Sequence, residues 1–345
     1  MKAPECSVNI IPDRHWIQKL PKAELHLHIE GTLEPELMFK LSERNRVPLK
    51  FSNVEQIRSA YKFFNLDDFL KIYYQGMSVL QTEQDFFDLT MAYMQRAYQD
   101  GVCHAEIFFD PQGHVTRGVS FDTVINGIVG ALQESEKTWK ISSRLIMCFL
   151  RHLSEADAFA TLQSASPYIK YLTAVGLDSS ELGNPPSKFQ RVFSAARAQG
   201  LRCVAHAGEE GPPAYISEAI QLLKIDRLDH GNRAIEDPEL ISYLAKKGMT
   251  LTLCPLSNLR LGVIKDLREY PLRLFLDAGV SVTINSDDPA YFGGYILDNY
   301  CALVDSLQLN HSQVAKLAFN SFTGSFLDCE KIREQLQCLA QVTYV

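Results

Sequence analysis

Leu25-His26-Leu27-His28 places two imidazoles two residues apart at the end of a short apolar run. In a β-strand, side chains at i and i+2 share a face. Both rings would therefore aim at one point from a rigid element, which is how a metal site is built. Three later segments supply partners: His206-Ala207-Gly208-Glu209, Leu228-Asp229-His230-Gly231 and Asn285-Ser286-Asp287-Asp288-Pro289. His26, His28, His206 and Asp287 form a natural coordination set, because three imidazoles and a carboxylate suit one Zn2+ and leave a position for water. Zinc brings a bound water toward acidity near neutral pH. Glu209 lies close enough to face a substrate without being a ligand, and a carboxylic acid there suits protonation of a ring nitrogen. His230 would hold or deprotonate the attacking water. Consecutive side chains diverge, so Asp287 can bind metal while Asp288 faces the substrate.

Such residues need strands that end at one place. Eight short β-branched or apolar runs recur, at residues 23–30, 102–110, 143–151, 172–179, 201–207, 227–231, 249–254 and 280–287. Helical patterns lie between most of them, at 121–137, 155–164, 186–199, 214–223, 238–247 and 270–278. Eight strand–helix units predict an α/β fold, a (β/α)8 TIM barrel in a single domain over residues 1–345. An open doubly wound sheet would carry a glycine-rich phosphate loop after its first strand, and none is present. The long, aromatic stretch between the first two strands predicts a helical insertion over the C-terminal mouth. Residues 51–80 within it are candidates for a lid that excludes water. The tail after Tyr295 predicts one or two closing helices.

Polar residues stand at nearly every strand end: Asp110, Arg151 and His152, Asp178 to Ser180, Ser257 and Asn258 join those above. One histidine at a strand end is ordinarily structural. Four histidines and several carboxylates converging on one cavity are costly to bury without a metal or a substrate.

Composition narrows the setting. A formal net charge of −7 spread thinly over 345 residues gives no attraction to nucleic acid or to anionic membrane. No stretch approaches a transmembrane span, and MKAPECSVNIIPDRHW lacks an apolar core of signal-peptide length. Eight cysteines are scattered without CxxC pairs, and several sit in strand-like runs. They read as small hydrophobes of a reduced compartment, which predicts a cytoplasmic protein. Nothing in the composition sets an oligomeric state.

The motifs ELHLHIEGTL (24–33), GLDSSE (176–181), VAHAGEEG (204–211), LDHGNR (228–233), CPLSN (254–258) and NSDDPAYF (285–292) occur in an order that resembles the adenosine/adenine deaminase family of the amidohydrolase superfamily. The resemblance implies the (β/α)8 barrel and replacement of a purine 6-amino group by oxygen. It makes His26, His28, His206 and Asp287 the zinc ligands, with one ion per chain. Glu209 becomes the acid at purine N1, His230 the residue that positions the water, and Asp288 the partner of N7. The GLDSSE turn resembles the family segment whose backbone amide, here at Glu181, meets N3. The site is not of the cytidine-deaminase type, which uses H-x-E with P-C-x-x-C.

Members that act on the nucleoside typically carry Asp at the position of Glu30, where it binds the ribose hydroxyl. Glu30 would either crowd the sugar or bend away and bind it. HIEG, FFDPQ, GLDSSE, HAGEEGPP and NSDDPAYFGGY together resemble the bacterial and fungal group that takes the free base. The resemblance thus implies adenine as the small-molecule substrate. Adenosine is the alternative, and a catalytically inactive binding protein the third reading. Phe108 and Phe109 should divide between the barrel interior and its outer layer, with Asp110 or Gln112 at the pocket.

Overall fold

The computed structural model describes residues 11–343. The first ten residues, most of the stretch MKAPECSVNIIPDRHW, lie outside them. The strands are β1 (Lys22–His28), β2 (Val102–Phe109), β3 (Ser142–Leu150), β4 (Leu172–Asp178), β5 (Arg202–Ala207), β6 (Arg227–His230), β7 (Thr250–Leu253) and β8 (Ser281–Ile284). All pair in parallel and in sequence order. A parallel bridge between Leu27 and Asp287 joins the last strand to the first. The Asp287 N–H donates to His26 O at 3.1 Å, and the His28 N–H to Asp287 O at 3.0 Å. Barrel closure is thus made by the backbone of three candidate metal ligands.

The period of two sorts the core. Ile107, Phe109, Met147, Phe149, Val175 and Leu177 pack in the large outer layer against the helices. Phe108, Ile146, Cys148, Ala174 and Val204 fill the barrel interior together with Phe326. Phe108 and Phe109 divide as expected from their parity. The floor holds a buried Glu106–Arg227 ion pair, with the Arg227 guanidinium stacked 4.6 Å from the Phe326 ring.

Between β1 and β2 run the helices Pro35–Asn45, Val54–Ala60, Leu66–Gly76 and Glu83–Gln99. Asn53 and Asn65 cap the middle two by accepting from the N–H of Gln56 and Asp68, which lets such short segments start sharply. The tail differs from expectation by holding three helices, Ile296–Leu307, His311–Thr323 and Cys329–Thr343. Gln308 ends the first in the left-handed region at φ 52°, and Asn310 caps the second through the Gln313 N–H. Two closely spaced local signals therefore split what hydrophobic pattern alone joins. No helix among the described residues is long and apolar enough to cross a membrane.

Candidate metal and active site

The strand ends meet in one cavity at the C-terminal mouth of the barrel, lined by His28, His206, Glu209, His230, Asp287 and Asp288 among others. His26 lies directly beneath, fully buried. One ligand atom from each of His26, His28, His206 and Asp287 lies within 4.8 Å of the others. His28 Nε2 is 3.2 Å from His206 Nε2; Asp287 Oδ1 is 3.2 Å from His26 Nε2 and 3.5 Å from His28 Nε2. Ligands about 2.0–2.1 Å from a tetrahedral zinc sit roughly 3.3 Å apart, so the spacing fits. His26 Nε2 has no hydrogen-bond partner although it is buried, as a nitrogen kept for a metal would be.

A hydrogen bond holds the other side of the His26 ring, and carboxylates flank the other two. His26 Nδ1 lies 2.9 Å from Thr252 Oγ1, whose hydroxyl donates to Asp229 Oδ1 at 2.9 Å. Asp229 Oδ2 is 3.8 Å from His206 Nδ1, and Asp178 Oδ2 is 3.4 Å from His28 Nδ1. The Arg151 guanidinium donates to the His206 carbonyl at 2.7 Å. Such outer partners set tautomer and ring direction. Asp178, Arg151 and Asp229 were legible only as polar strand ends; their partners come from other strands.

Three non-glycine residues at strand ends adopt the left-handed region: Ser179 (φ 74°), His230 (φ 61°) and Asp287 (φ 64°). Each such residue costs on the order of 1–3 kcal/mol and persists where its surroundings over-determine it. At Asp287 the two bonds to β1 do so, and they turn its carboxylate onto the three imidazoles.

Burial pushes the Glu209 carboxyl well up from its ordinary range, with Asp287, Glu181 and Glu210 adding repulsion. Burial likewise lowers His230 to about 3, with His26 assisting, which leaves it neutral. His230 Nε2 stands 3.6 Å from Glu209 Oε2 and 3.9 Å from Asp287 Oδ2. Burial opposes ionisation of Asp287, yet His26, His230 and His28 outweigh it and hold that carboxyl far below the usual range. Next to it, burial and the Asp287 charge push Asp288 well up. Neighbouring carboxyls are thus shifted in opposite directions. Gly31 makes room for the second: a Cβ there would stand 2.0 Å from Asp288 Oδ1.

Two expected pocket residues sit elsewhere. The Glu30 carboxylate does not reach the cavity; it accepts from the Asp110 N–H at 3.1 Å and lies 2.8 Å from His114 Nε2. The helical turn Glu30–Thr32 directly after β1 rotates it away. The Glu181 side chain turns aside to the loop after β5, while Asp178 and Ser179 of the same segment line the cavity. Gln112 bonds to the Leu150 N–H at 2.8 Å and is structural, whereas Asp110 does line the cavity. Ser257 and Asn258 are buried but not in the lining; Asn258 bonds to Asn232 and Tyr270. Leu66, Phe69, Leu70, Tyr73 and Tyr74 from the insertion roof the cavity. The position of the insertion between the first two strands predicted its place over the mouth, whereas the 3.6-residue spacing of these side chains reads equally as helix packing.

A family model described as adenosine deaminase matches residues 21–342. An adenine deaminase from Sphingopyxis alaskensis is 61% identical over 319 residues, covering 92% of this chain and 94% of that protein. One from Caulobacter vibrioides is 60% identical over 317 residues, 92% of each chain. Among solved structures, an adenine deaminase from Arthrobacter aurescens superposes with a TM-score of 0.93 at 47% identity, covering 94% of this chain and all of that one. Strand order, the His/Asp cluster and these matches agree, and the chain belongs to the adenosine deaminase family.

Proposed function

We propose that this chain is a hydrolase that deaminates adenine to hypoxanthine and ammonia, with one zinc ion per chain and a place in purine salvage. The observation that carries the reading is one cavity that brings buried Glu209 and His230 against a four-residue metal set. Similarity to proteins described as adenine deaminases supplies the substrate.

His26, His28, His206 and Asp287 would hold the metal, which supplies acidity to a water and a site for negative charge. His230 orients that water and takes its proton. As the water oxygen attacks C6, the C6–N1 electrons move onto N1, and Glu209 supplies the proton there. A tetrahedral carbon results, bearing both the new oxygen and the amino group. The amino nitrogen then takes the proton held by His230, an oxygen lone pair forms the C6=O bond as C6–N6 breaks and ammonia leaves, and the hydroxyl proton returns to Glu209. Asp288, whose charged form is disfavoured by burial and by Asp287, hydrogen-bonds N7 and fixes the ring. Glu181 holds the loop that carries Glu209, and Glu30 holds Asp110. The aromatic roof keeps bulk water from the reacting carbon.

Free thiols at Cys103, Cys148, Cys203 and Cys254 favour a reducing compartment, and we assign the protein to the cytoplasm. The deciding experiment compares kcat/KM for adenine and adenosine by loss of absorbance at the adenine maximum. Preference for adenine is expected; preference for adenosine would replace the substrate assignment. Absence of turnover on either, with metal loaded, would favour a binding protein.

A further inference from the structure

Glu209 and Asp288 account for N1 and N7, which leaves the far edge of the base, N3 and N9, without a partner. The strands run around the barrel in sequence order. Glu209 follows β5, Asp178 and Ser179 stand at the end of β4, Asp110 follows β2 and Asp288 follows β8, and all line the same cavity. Around a purine the ring nitrogens run N1, N3, N9, N7, with C6 between N7 and N1. Placing N1 at Glu209, N7 at Asp288 and C6 toward His230 carries N3 to β4 and N9 to β2. Asp110 is the residue β2 offers there.

Asp110 is built to accept a hydrogen bond it does not receive from the protein. It is buried, and its Oδ1 has no partner. Its Oδ2 accepts from the Tyr73 hydroxyl at 3.3 Å. The backbone N–H is fixed by Glu30 at 3.1 Å, and the Asp178 carboxyl lies within 4.8 Å of the Asp110 side chain. A buried carboxyl oxygen without a partner is costly, and a substrate N–H relieves the cost.

We propose that Asp110 accepts the N9–H of the bound purine and thereby selects the free base over any N9-substituted purine. The inference rests on the purine reading above. A base carrying carbon on N9 has no proton to give and sets that carbon against the carboxyl oxygen. A site built around a hydrogen bond rejects an analogue that lacks it far more strongly than an apolar pocket rejects extra bulk.

The test compares adenine with 9-methyladenine, which removes the N9 proton without adding a sugar. Wild-type kcat/KM should favour adenine by at least ~100-fold. Asp110→Ser should lower adenine kcat/KM and shrink that ratio by ~10-fold or more, with Asp110→Asn, which keeps an acceptor oxygen, between the two. The same ratio is read without turnover as competitive inhibition by purine against 9-methylpurine, and Asp110→Asn covers failure of the serine variant to fold. Ratios within ~3-fold of wild type in both variants would overturn the proposal. So would a second metal equivalent in the wild type that Asp110→Ser loses, since His28, Asp110 and Asp178 also lie close together. Wild-type preference for adenosine would refute the purine assignment itself, whereas adenine turnover indifferent to Asp110 refutes only the N9 contact.

Discussion

The carboxylate of Glu181 accepts a hydrogen bond from the backbone N–H of Glu209 at 3.0 Å. The same side chain takes the N–H groups of Gly208, Glu210 and Gly211 at 2.7, 2.9 and 2.8 Å. A Cβ on Gly211 would stand 2.5 Å from Glu181 Oε1, so the loop can wrap this closely only with glycine there. One glutamate thus sets where the other points. Glu181→Gln replaces one acceptor oxygen by an amide facing donors. It should lower kcat by ~10-fold or more, with a smaller change in KM and normal metal content. Steady-state kinetics with metal analysis on the same sample check this.

Glu209→Gln keeps the shape of the side chain and removes its proton. Turnover should fall by ~100- to 10,000-fold, the usual value of a general acid, with metal content unchanged. A near-normal kcat would take Glu209 out of this role.

Metal content separates ligands from their supports. His206→Ala removes a donor and should purify with far less than one zinc per chain. Asp229→Asn leaves every ligand in place but weakens the Thr252 and His206 contacts, and should cost ~10- to 100-fold in zinc affinity. Competition with a chelator, read by elemental analysis, ranks the two.

Acid sensitivity should trace to the barrel floor. Burial opposes a charged Glu106, but Arg227 and His104 outweigh it and hold its carboxyl at about 2, against an ordinary value of 4.5. A carboxyl depressed on folding contributes stability above its unfolded pKa and loses it as pH falls through the folded one. That contribution, on the order of 3 kcal/mol, should therefore vanish between about pH 4.5 and 2. Glu106→Gln takes from Arg227 the nearer of its two carboxylates, leaving Asp229 Oδ1 at 3.6 Å, and should cost ~3–5 kcal/mol at pH 7. Urea unfolding at several pH values should show the gap between wild type and variant closing on the acid side.

The roof helix Leu66–Gly76 is tethered at its rim, where the Ser180 hydroxyl donates to Asp67 at 3.0 Å and Tyr74 meets Ser179 Oγ at 3.0 Å. Ser180→Ala removes one exposed tether. KM should rise by ~2- to 10-fold while kcat stays within twofold, because the reacting groups are untouched. A fall in kcat without change in KM would argue against a cover held by this contact.

Local rules made much of this protein legible. Alternation along a strand is a property of neighbouring residues, so it assigned His26 and His28 to one face and separated Phe108 from Phe109. The same repetition marked all eight strands. What the chain order could not contain was direction after a strand ends. Glu30 leaves the cavity because one helical turn rotates it toward His114, a partner 84 positions away. The hold of Asp229 on two imidazoles, the nest of Glu181 and the open oxygen of Asp110 depend on residues brought together from different strands. Barrel closure decides those meetings, since the Asp287 backbone must bond to β1 before its carboxylate can face the histidines.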